Sequence, residues 1–318
     1  MTGNDVAHAA HLLKQGKLVA IPTETVYGLA ANALDPKAIA EIYRVKNRPS
    51  FNPLILHIPN WEAAKQYVTH FPIEAEKIAH HFWPGSLSIL LPKSEIVPDI
   101  VTAGSSHVVL RVPNHPLTQE LLNCIDFPLA APSANISNTV SPTSADHVRK
   151  GIGNQIDYIL DGGRCQVGIE STIVSIENGK VQILREGGTS RENITHQTGL
   201  EILLSTKKTG QTPGQLKKHY ATQKSLYIVE SISEYLKNNS TQTCSILFYE
   251  KQHNYPSKYA YLLSDDYNLS EIANQLFAMM RLADQDPTDC ILIEPIKIEG
   301  IGRAIDDRLK RAATSYKS

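Results

Sequence analysis

The stretch Lys46-Asn47-Arg48-Pro49-Ser50-Phe51-Asn52-Pro53-Leu54-Ile55-Leu56-His57 joins a cationic loop to a short apolar run that is typical of a strand. Proline fixes φ at Pro49 and Pro53 and biases the residues before them toward extended backbone. Lys46 and Arg48 are therefore held on a semi-rigid loop, a geometry suited to binding an anion such as a phosphate chain. By itself the stretch is better interpreted as a surface loop with solvated charges, so its meaning depends on the segments around it.

Length and composition indicate a globular protein of two domains. A chain of 318 residues is longer than one average domain, and its 42% hydrophobic and 20% charged residues are typical of soluble proteins with buried cores. Lys and Arg number 31 against 32 Asp and Glu, so no overall charge calls for a nucleic-acid partner, although a local basic cleft remains open.

The sequence shows none of the marks of membrane insertion or export. No apolar run approaches the roughly 20 residues of a membrane span, and the N-terminus lacks the basic-then-apolar pattern of a signal peptide. The four cysteines are far apart and include no CxxC pair, so we expect reduced thiols rather than a disulfide or zinc framework. These features predict a cytoplasmic protein without membrane contact.

Short β-rich runs alternate with helical patterns, which predicts an α/β protein. In the first part of the chain we expect strands at 18–21, 54–56, 87–91, 108–112, 158–160, 171–176 and 181–184, and helices at 4–16, 36–45, 61–69, 73–82, 116–123 and 144–150. In the last part we expect strands at 226–229, 244–249, 260–263 and 290–293, and helices at 270–283 and 303–313. The charges of 303–313 are interpreted as a solvated face.

A change of composition separates two predicted domains. Residues 205–222 form a basic tract with few apolar residues, which is typical of a linker. The predicted domains are therefore 1–204 and 223–318, with 205–222 between them.

Polar residues follow the predicted strands at turns, where ligand sites of α/β sheets usually form. Thr23, Glu24 and Thr25 come directly after the first strand, and Gly28 permits close approach of the backbone. A strand-to-helix turn with capping hydroxyls explains these residues equally well.

Arg111 interrupts an apolar strand, and a buried or half-buried arginine usually has an anionic partner. That partner is either a carboxylate of the protein or a carboxylate or phosphate of a ligand. Arg185 ends another strand in the same way. The sequence alone leaves both alternatives open.

The segment PLAAPSANIS, residues 128–137, combines small side chains with hydroxyls and an amide. Small residues let a ligand lie against the backbone, and Ser133 and Asn135 offer neutral hydrogen bonds to phosphate or ribose. Alone, this segment is better explained as an ordinary turn after a strand.

The polar residues taken together include three arginines, one lysine, one central histidine, many hydroxyls and few carboxylates. That set favours binding of a polyanion such as ATP over acid–base hydrolysis by paired carboxylates. The sequence has no GxxxxGK[ST] loop, no GxGxxG after a strand, no HExxH and no GxSxG. A nucleotide enzyme of this sequence would therefore use a less common fold.

In order and spacing these segments resemble the YrdC-domain family of L-threonylcarbamoyladenylate synthases, in its long two-domain form. The matching motifs are PTETVYGLAANA, KNRPSFNPLILHI, WPGSLSILLP, VVLRVPNHP, PLAAPSANIS, SPT, ILDGG, GIEST and ILREGG, then PGQLKKHYAT in the linker and ANQLFAMMRLAD and GIGRAIDDRLKRAA near the end. The resemblance implies a YrdC-like N-terminal domain, a twisted open mixed sheet with helices around a concave cleft. It also implies a small Rossmann-like α/β domain at the C-terminus.

The resemblance implies a reaction as well. L-Threonine and bicarbonate form a threonine carbamate, whose carboxylate attacks the α-phosphate of ATP to give threonylcarbamoyl-AMP and pyrophosphate. Mg²⁺ would arrive with ATP, with no metal ligand expected from the protein. Downstream transfer proteins would pass the threonylcarbamoyl group to adenosine next to the anticodon of tRNA, and the resemblance leaves room for weak tRNA binding.

The family's site residues can be carried over to the matching positions. Contacts to threonine or its carbamate are implied for Thr25, His57, Arg111, Ala131 and Ser171. Contacts to ATP are implied for Lys46, Arg48, Asn52, His107, Ser133, Asn135, Ser141, Arg185 and Tyr220. Tyr220 would close over the nucleotide as a lid, with the linker reaching into the cleft of the first domain. The chain departs from the family at Asn138, where glycine is usual, and at His107, where a small hydroxyl residue is expected.

Two alternatives stand beside the synthase. One is an RNA-binding module of the same fold without adenylation activity. The other is the carbamoyl-transfer domain of hydrogenase maturation, but such proteins carry zinc-type cysteine pairs and an acylphosphatase region that this sequence does not contain.

Overall fold

The computed structural model describes residues 1–177, 179–204, 219–251, 255 and 257–317. The chain divides into two compact units, Met1–Ser137 with Pro142–Gln215 and Asn138–Ser141 with Leu216–Ser318. The four residues 138–141 therefore belong to the second unit although the chain on both sides of them belongs to the first. The predicted boundaries at 204 and 223 stay predictions, since most of the predicted linker, residues 205–218, lies outside the described residues.

Within the described residues, the first unit contains a mixed sheet of eleven strands. The strands are β1 (Thr2–Gly3), β2 (Val19–Ile21), β3 (Gly28–Asn32), β4 (Ile55–His57), β5 (Leu87–Pro92), β6 (His107–Arg111), β7 (Leu129–Ala130), β8 (Tyr158–Leu160), β9 (Thr172–Glu177), β10 (Lys180–Arg185) and β11 (Ile202–Leu204). Their order across the sheet is β1-β8-β2-β3-β7-β4-β6-β5-β9-β10-β11. Parallel and antiparallel pairs both occur, as expected for the mixed sheet implied by the resemblance.

Several helices of the first unit begin at a residue whose side chain caps the first turn. The helices of this unit are α1 (Val6–Lys14), α2 (Pro36–Lys46), α3 (Trp61–Ala64), α4 (Ile73–Phe82), α5 (Asp99–Thr102), α6 (Pro116–Asn123), α7 (Ala145–Ile152) and α8 (Arg191–Thr198). The Asp35 carboxylate accepts from the backbone N–H of Lys37, and Pro36 occupies the first turn of α2. Helix α2 ends at Lys46, and the next residue, Asn47, has a left-handed φ of 48° that turns the chain into the cationic loop.

In its described residues, the second unit contains a five-stranded sheet in which every pair is parallel. Its elements are β12 (Ser225–Val229), α9 (Ile232–Asn238), β13 (Cys244–Phe248), β14 (Ala260–Leu262), α10 (Leu269–Gln285), β15 (Cys290–Ile293), α11 (Gly302–Ala312) and β16 (Ser315–Lys317). The strand order is β14-β13-β15-β12-β16. Strands that alternate with helices and pair in parallel are the arrangement predicted for a Rossmann-like domain.

The two-residue repeat of a strand separates the main core from a second, smaller cluster in the first unit. Leu56 and Leu110 pack in the main core, but the residues one position before each of them do not. The smaller cluster consists of Ile55, Leu90, Val109 and Ile173. Because successive side chains of a strand point to opposite faces, the smaller cluster marks the other face of the sheet.

Two sequence-based interpretations are wrong. Residues after β2 do not lead into a helix, because Gly28–Asn32 form strand β3, which pairs antiparallel with β2. The charges of helix α11 are not all solvated, because Arg308 is 0% exposed. Its guanidinium carbon lies 5.5 Å from the ring centre of Tyr220, so an aromatic face covers this cation.

None of the helices in the described part of the chain is both long enough and apolar enough to cross a membrane. The cytoplasmic location stays a prediction.

Candidate active site

Polar side chains occupy one end of the smaller-cluster face in the first unit. His57 follows Ile55 by two residues on β4, and Arg111 follows Val109 by two on β6, so both share the face of that cluster. Ser88 precedes Leu90 on β5, which runs antiparallel to β6, so it lies toward the same end. Ser171 stands just before β9, and its Oγ lies 2.8 Å from Ser88 Oγ. We call His57, Ser88, Arg111 and Ser171 the polar end.

Arg111 is paired with Glu24 in this structure. Arg111 Nη2 lies 2.6 Å from Glu24 Oε1, and both side chains are 5% exposed. The second oxygen, Oε2, accepts from the backbone N–H of Asn114 at 2.9 Å, and Arg111 Nε donates to the carbonyl of Gly85 at 3.1 Å. Of the two partners left open by the sequence, the protein carboxylate is therefore present, and it holds the guanidinium in one orientation.

His57 is buried beside Arg111 and is neutral at physiological pH. Burial, together with the positive charge of Arg111, lowers the pKa of His57 from 6.5 to about 3. His57 Nδ1 lies 3.3 Å from the carbonyl oxygen of Ile55. A neutral imidazole can offer one donor and one acceptor but no charge, so any charge at this position comes from Arg111.

The loop between β2 and β3 supplies Glu24 and a pair of buried hydroxyls. Thr23 Oγ1 and Thr25 Oγ1 lie 2.8 Å apart, and Thr23 Oγ1 donates to the carbonyl of Val26. The backbone N–H groups of Thr25 and Val26 both donate back to Thr23 Oγ1. The predicted threonine contact Thr25 is thus fully buried in a loop that its neighbour Thr23 folds.

Ser171 and Arg185 are brought together. Arg185 donates to the Ser171 carbonyl from Nε at 3.0 Å and from Nη2 at 2.9 Å, and Nη2 lies 3.1 Å from Ser171 Oγ. The resemblance assigns Ser171 to threonine and Arg185 to ATP. Their contact means that the two predicted substrate sets meet at this point of the sheet.

A register shift aims Arg185 at the polar end. Ile183 pairs with Val174 in the main core, but two residues later Arg185 pairs with Ile173 of the smaller cluster. The extra residue, Leu184, packs on the smaller cluster as well. A bulge that inserts one residue re-aims the side chain after it, which is how an arginine at this position leaves the core face.

Lys46, at the end of α2, is buried without a carboxylate partner among the described residues. Its Nζ donates to the carbonyl of Asn135 at 2.5 Å and to the carbonyl of Ser133, and the side chain is 1% exposed. Burial, with the nearby Arg48 charge, sets the pKa of Lys46 well below its ordinary value. The lysine ammonium therefore joins the cationic loop to residues 132–137 (PSANIS) by hydrogen bonds to neutral carbonyl oxygens.

Arg48 folds the cationic loop back on itself. Its Nη2 donates to Asn52 Oδ1 at 2.6 Å and to the carbonyl of Pro53 at 2.8 Å, and its Nε donates to the carbonyl of Asn52 at 3.0 Å. The structure thus brings together two of the predicted ATP contacts, Arg48 and Asn52. Phe51, between them, is exposed.

Small residues let the backbone of β3 approach residues 131–133 closely. A methyl group added to Gly28 would lie 3.1 Å from Ala131 Cβ, and Gly28 forms an isolated bridge with Ser133. Ala131 donates from its N–H to the carbonyl of Ile55. The backbone that carries the predicted contacts Ala131 and Ser133 therefore packs closely against β3 and β4.

One predicted contact lies at the other end of β6, and two belong to the second unit. His107 begins β6, at the opposite end of that strand from Arg111, and its Nδ1 lies 3.0 Å from Ser106 Oγ. Ser141 and Tyr220 belong to the second unit. Tyr220, with a φ of 63°, is 1% exposed and stacks on Phe277 at a ring-centre distance of 5.4 Å. Its lid role and the path of the linker stay predictions, because residues 205–218 lie outside the described residues.

Sequence reasoning missed two residues of this site. Ser88 stands in the otherwise apolar strand LSILLP, and that lone hydroxyl was the available signal. Glu24 was recognised as a polar turn residue but not as the partner of Arg111, 87 residues away. Among the described residues, no group of three or more His, Cys, Asp or Glu side chains could hold a metal ion.

Comparison with known proteins identifies the family. A family profile of the Sua5, YciO and YrdC proteins, described as telomere recombination, matches residues 11–187, and a profile described as threonylcarbamoyl-AMP synthase, C-terminal domain, matches residues 178–314. The chain is 37% identical to the threonylcarbamoyl-AMP synthase of Pyrococcus abyssi over 96% of its own length and 93% of that protein. The chain belongs to the threonylcarbamoyl-AMP synthase family. The resemblance found in the sequence motifs is confirmed.

Further relatives agree with this membership of the threonylcarbamoyl-AMP synthase family. The threonylcarbamoyl-AMP synthase of Bacillus subtilis is 35% identical over 97% of this chain and 92% of its own length. The crystal structure of P. abyssi Sua5 complexed with L-threonine has a TM-score of 0.90 at 35% identity, covering 98% of this chain and 97% of that one. The two-domain α/β fold predicted from the sequence is therefore confirmed.

Glu24→Gln should destabilise the first unit because it leaves the Arg111 guanidinium buried without its carboxylate. Removing one partner of a buried pair costs roughly 3–5 kcal/mol. The matched control is Asp157→Asn, since Asp157 also accepts a backbone N–H, from Leu18, and lies near a cation, Lys17. That carboxylate is more exposed, and its loss should cost about 1 kcal/mol or less. Urea unfolding measures both, and equal losses would contradict the buried-pair account.

Folding stability should fall as the pH drops below 6.5 because His57 is neutral in the folded state. Its folded pKa of about 3 lies below the ordinary value of 6.5, so the unfolded chain binds the extra proton between these values. The expected loss is about 1.4 kcal/mol per pH unit below 6.5, ending near the folded pKa. His57→Gln should flatten this part of the profile in urea unfolding at pH 7.5 and 5.5. An unchanged slope in the variant would assign the loss to other groups.

Proposed function

We propose that the protein is an L-threonylcarbamoyladenylate synthase. L-Threonine and bicarbonate condense with loss of water to a threonine carbamate. The carbamate oxygen then forms a bond to the α-phosphorus of ATP, and the bond from that phosphorus to the β-phosphate oxygen breaks. The products are threonylcarbamoyl-AMP and pyrophosphate. The observation that carries the proposal is the match to threonylcarbamoyl-AMP synthases over more than nine-tenths of the chain.

The physical problem of this reaction is to bring one anion onto another. The carbamate and the triphosphate repel each other, and the pyrophosphate leaves with further negative charge, so cations must offset both effects. Lys46, Arg48, Arg111 and Arg185 are buried in the first unit, which supports this role. In such a site, positioning of the reactants contributes more than any side-chain nucleophile.

On the threonine side, Arg111 would bind the amino-acid carboxylate. Gly85 and Glu24 already occupy the Nε–Nη2 edge of the guanidinium, so the edge formed by Nη1 and Nη2 is the one suited to a second, bidentate partner. His57, Thr25, Ala131 and Ser171 would line the same pocket with neutral groups. The crystal structure of P. abyssi Sua5 as a complex with L-threonine supports threonine as the amino acid.

On the nucleotide side, MgATP would be the substrate, with Mg²⁺ held by the phosphates. Lys46, Arg48 and Arg185 would face the phosphate chain, while Asn52, His107, Ser133, Asn135 and Ser141 would supply neutral hydrogen bonds. The described partners of Lys46 are neutral carbonyl oxygens, so an incoming phosphate would be the first anion bound to this ammonium. Tyr220 would exclude water from the mixed anhydride.

The product implies further partners. A carbamoyl adenylate is an activated group donor, so transfer proteins would consume it and deliver the threonylcarbamoyl group to adenosine next to the anticodon of tRNA. We place this chemistry in the cytoplasm. Any direct tRNA contact of the chain itself would be weak.

The purified protein should release pyrophosphate only when ATP, Mg²⁺, L-threonine and bicarbonate are all present. Omission of any one component, or replacement of L-threonine by another amino acid such as glycine, should reduce release to background. The adenylate itself should appear by mass spectrometry. Tight tRNA binding without threonine-dependent pyrophosphate release would instead favour an RNA-binding module.

Lys46→Met should lower kcat/KM for ATP by about 100-fold or more, because it removes a buried charge–phosphate contact worth roughly 3 kcal/mol. The matched control is Lys93→Met in the same unit. Lys93 Nζ is paired with Asp99 at 2.6 Å, so its charge is already committed. Steady-state pyrophosphate release measures both variants, and equal effects would remove Lys46 from the phosphate site.

A further inference from the structure

Helix α10 of the second unit holds the backbone of residues 138–141. The Arg281 guanidinium donates to the carbonyl of Val140 from Nη2 and to the carbonyl of Ser141 from Nε at 3.4 Å. All these residues belong to the second unit. Arg281 therefore donates to two successive carbonyl groups of a segment that lies about 140 positions earlier in the sequence.

The other half of the same segment is held by the residues next to Tyr220. The N–H of Ala221 donates to the carbonyl of Asn138 at 2.7 Å, and Thr139 forms an isolated parallel bridge with Ala221. Asn138 has a φ of 71°, a left-handed conformation that asparagine tolerates. Four consecutive residues are thus fixed by two attachments, one from Ala221 and one from Arg281.

One face of α10 carries Arg281 and also contacts Tyr220, the residue before Ala221. Phe277 and Arg281 are four residues apart, so they lie one turn apart on the same side of the helix. Phe277 stacks on the Tyr220 ring, and Arg281 binds the carbonyls of Val140 and Ser141. The helix therefore contacts both of the predicted ATP contacts that lie in the second unit, Ser141 and Tyr220.

We propose that Arg281 is a positioning residue for ATP, which fixes the backbone of Val140 and Ser141 so that Ser141 is presented to the nucleotide. The proposal rests on the proposed function. It gives the C-terminal half of the chain a defined part in the reaction, since the helix that carries Arg281 lies wholly in that half. Arg281 itself need not touch the substrate.

The chemistry of the contact supports a role beyond fold stability. Burial lowers the pKa of Arg281 to about 10, and the neighbouring Asp284 charge offsets only part of this effect. The Asp284 oxygens accept from the backbone N–H groups of Gln223 and Lys224. The bonds described for the Arg281 guanidinium go to neutral carbonyls. These bonds do not offset the free-energy cost of desolvating the cation as an ion pair would.

The segment also leads directly into backbone that the first unit holds. On one side, the N–H of Ser137 donates to the carbonyl of Lys46 at 2.8 Å. On the other side, the carbonyl of Pro142 accepts from the N–H of Tyr27 at 2.8 Å. The residues on both sides of 138–141 are therefore bonded to the first unit near Lys46 and near the loop that carries Thr25.

The test is Arg281→Met in the full-length protein. Met keeps much of the apolar stem but cannot donate to either carbonyl. KM for ATP should rise about tenfold, as for loss of one charge-assisted hydrogen bond, while KM for L-threonine should change by less than about twofold. Hydrogen exchange of a peptide covering 138–141 should become faster. Arg281→Lys keeps the positive charge but cannot bond to both carbonyls in the same way, so its KM for ATP should lie between those of the wild type and Arg281→Met.

Two control variants separate positioning from loss of stability. Leu282→Ala changes the next residue of α10, which is exposed, and should leave both KM values unchanged. Ser245→Ala removes a buried hydroxyl that bonds to Asp286 and Thr288 in the same unit, and should lower stability without raising KM for ATP. If Arg281→Met fails to fold, the same comparison applies to Arg281→Lys.

The outcomes distinguish the two proposals. Wild-type protein without threonine-dependent pyrophosphate release would overturn the proposed function before Arg281 is considered. Active wild-type protein with an unchanged KM for ATP in Arg281→Met, or with equal rises in both KM values, would overturn the positioning role alone.

Discussion

The buried pair of Arg111 and Glu24 is the contact around which the first unit arranges its polar end. A cation at the end of a core strand is tolerated only because a carboxylate from the β2–β3 loop reaches it at 2.6 Å. The same carboxylate fixes the chain at Asn114, so one side chain joins two loops and a strand. The field of Arg111 in turn contributes to keeping His57 neutral. The proposed site thus depends on a buried pair in which Glu24 orients the Arg111 guanidinium.

Local patterns were enough to predict several elements that carry candidate site residues. Asp35-Pro36 predicted the start of α2, which runs over Pro36–Lys46, and the apolar runs predicted β4 and β6 within two residues. The resemblance then assigned His57, Arg111, Ser171 and Arg185 to substrate contacts, and the structure places these residues on one sheet face. Alternation along strands is a short-range rule, and by it His57 and Arg111, each two residues after a member of the smaller cluster, share the face of that cluster.

Contacts between distant parts of the chain escaped the sequence. The partner of Arg111 could not be chosen from periodicity, because any carboxylate in a turn would have served. The register shift before Arg185 leaves no mark that distinguishes it from a regular strand. The charge-rich helix predicted a solvated Arg308, but the ring of Tyr220 and the Asp307 carboxylate lie against its guanidinium. Most of these failures concern a tertiary partner, whereas strand β3 in place of a strand-to-helix turn is an error of local conformation.

The assignment of residues 138–141 to the second unit has a topological consequence. Neither unit is a single continuous stretch, so the two are joined by three covalent crossings: at 137/138, at 141/142 and in the tract before Leu216. Cutting the chain within that tract would sever one crossing and leave two. A gene that ends after the first unit would remove the donors that now bind the carbonyl groups of Asn138, Val140 and Ser141. Two modules that look separable on a linear map are therefore joined at three points of the chain, and a boundary drawn at one of these points does not separate them.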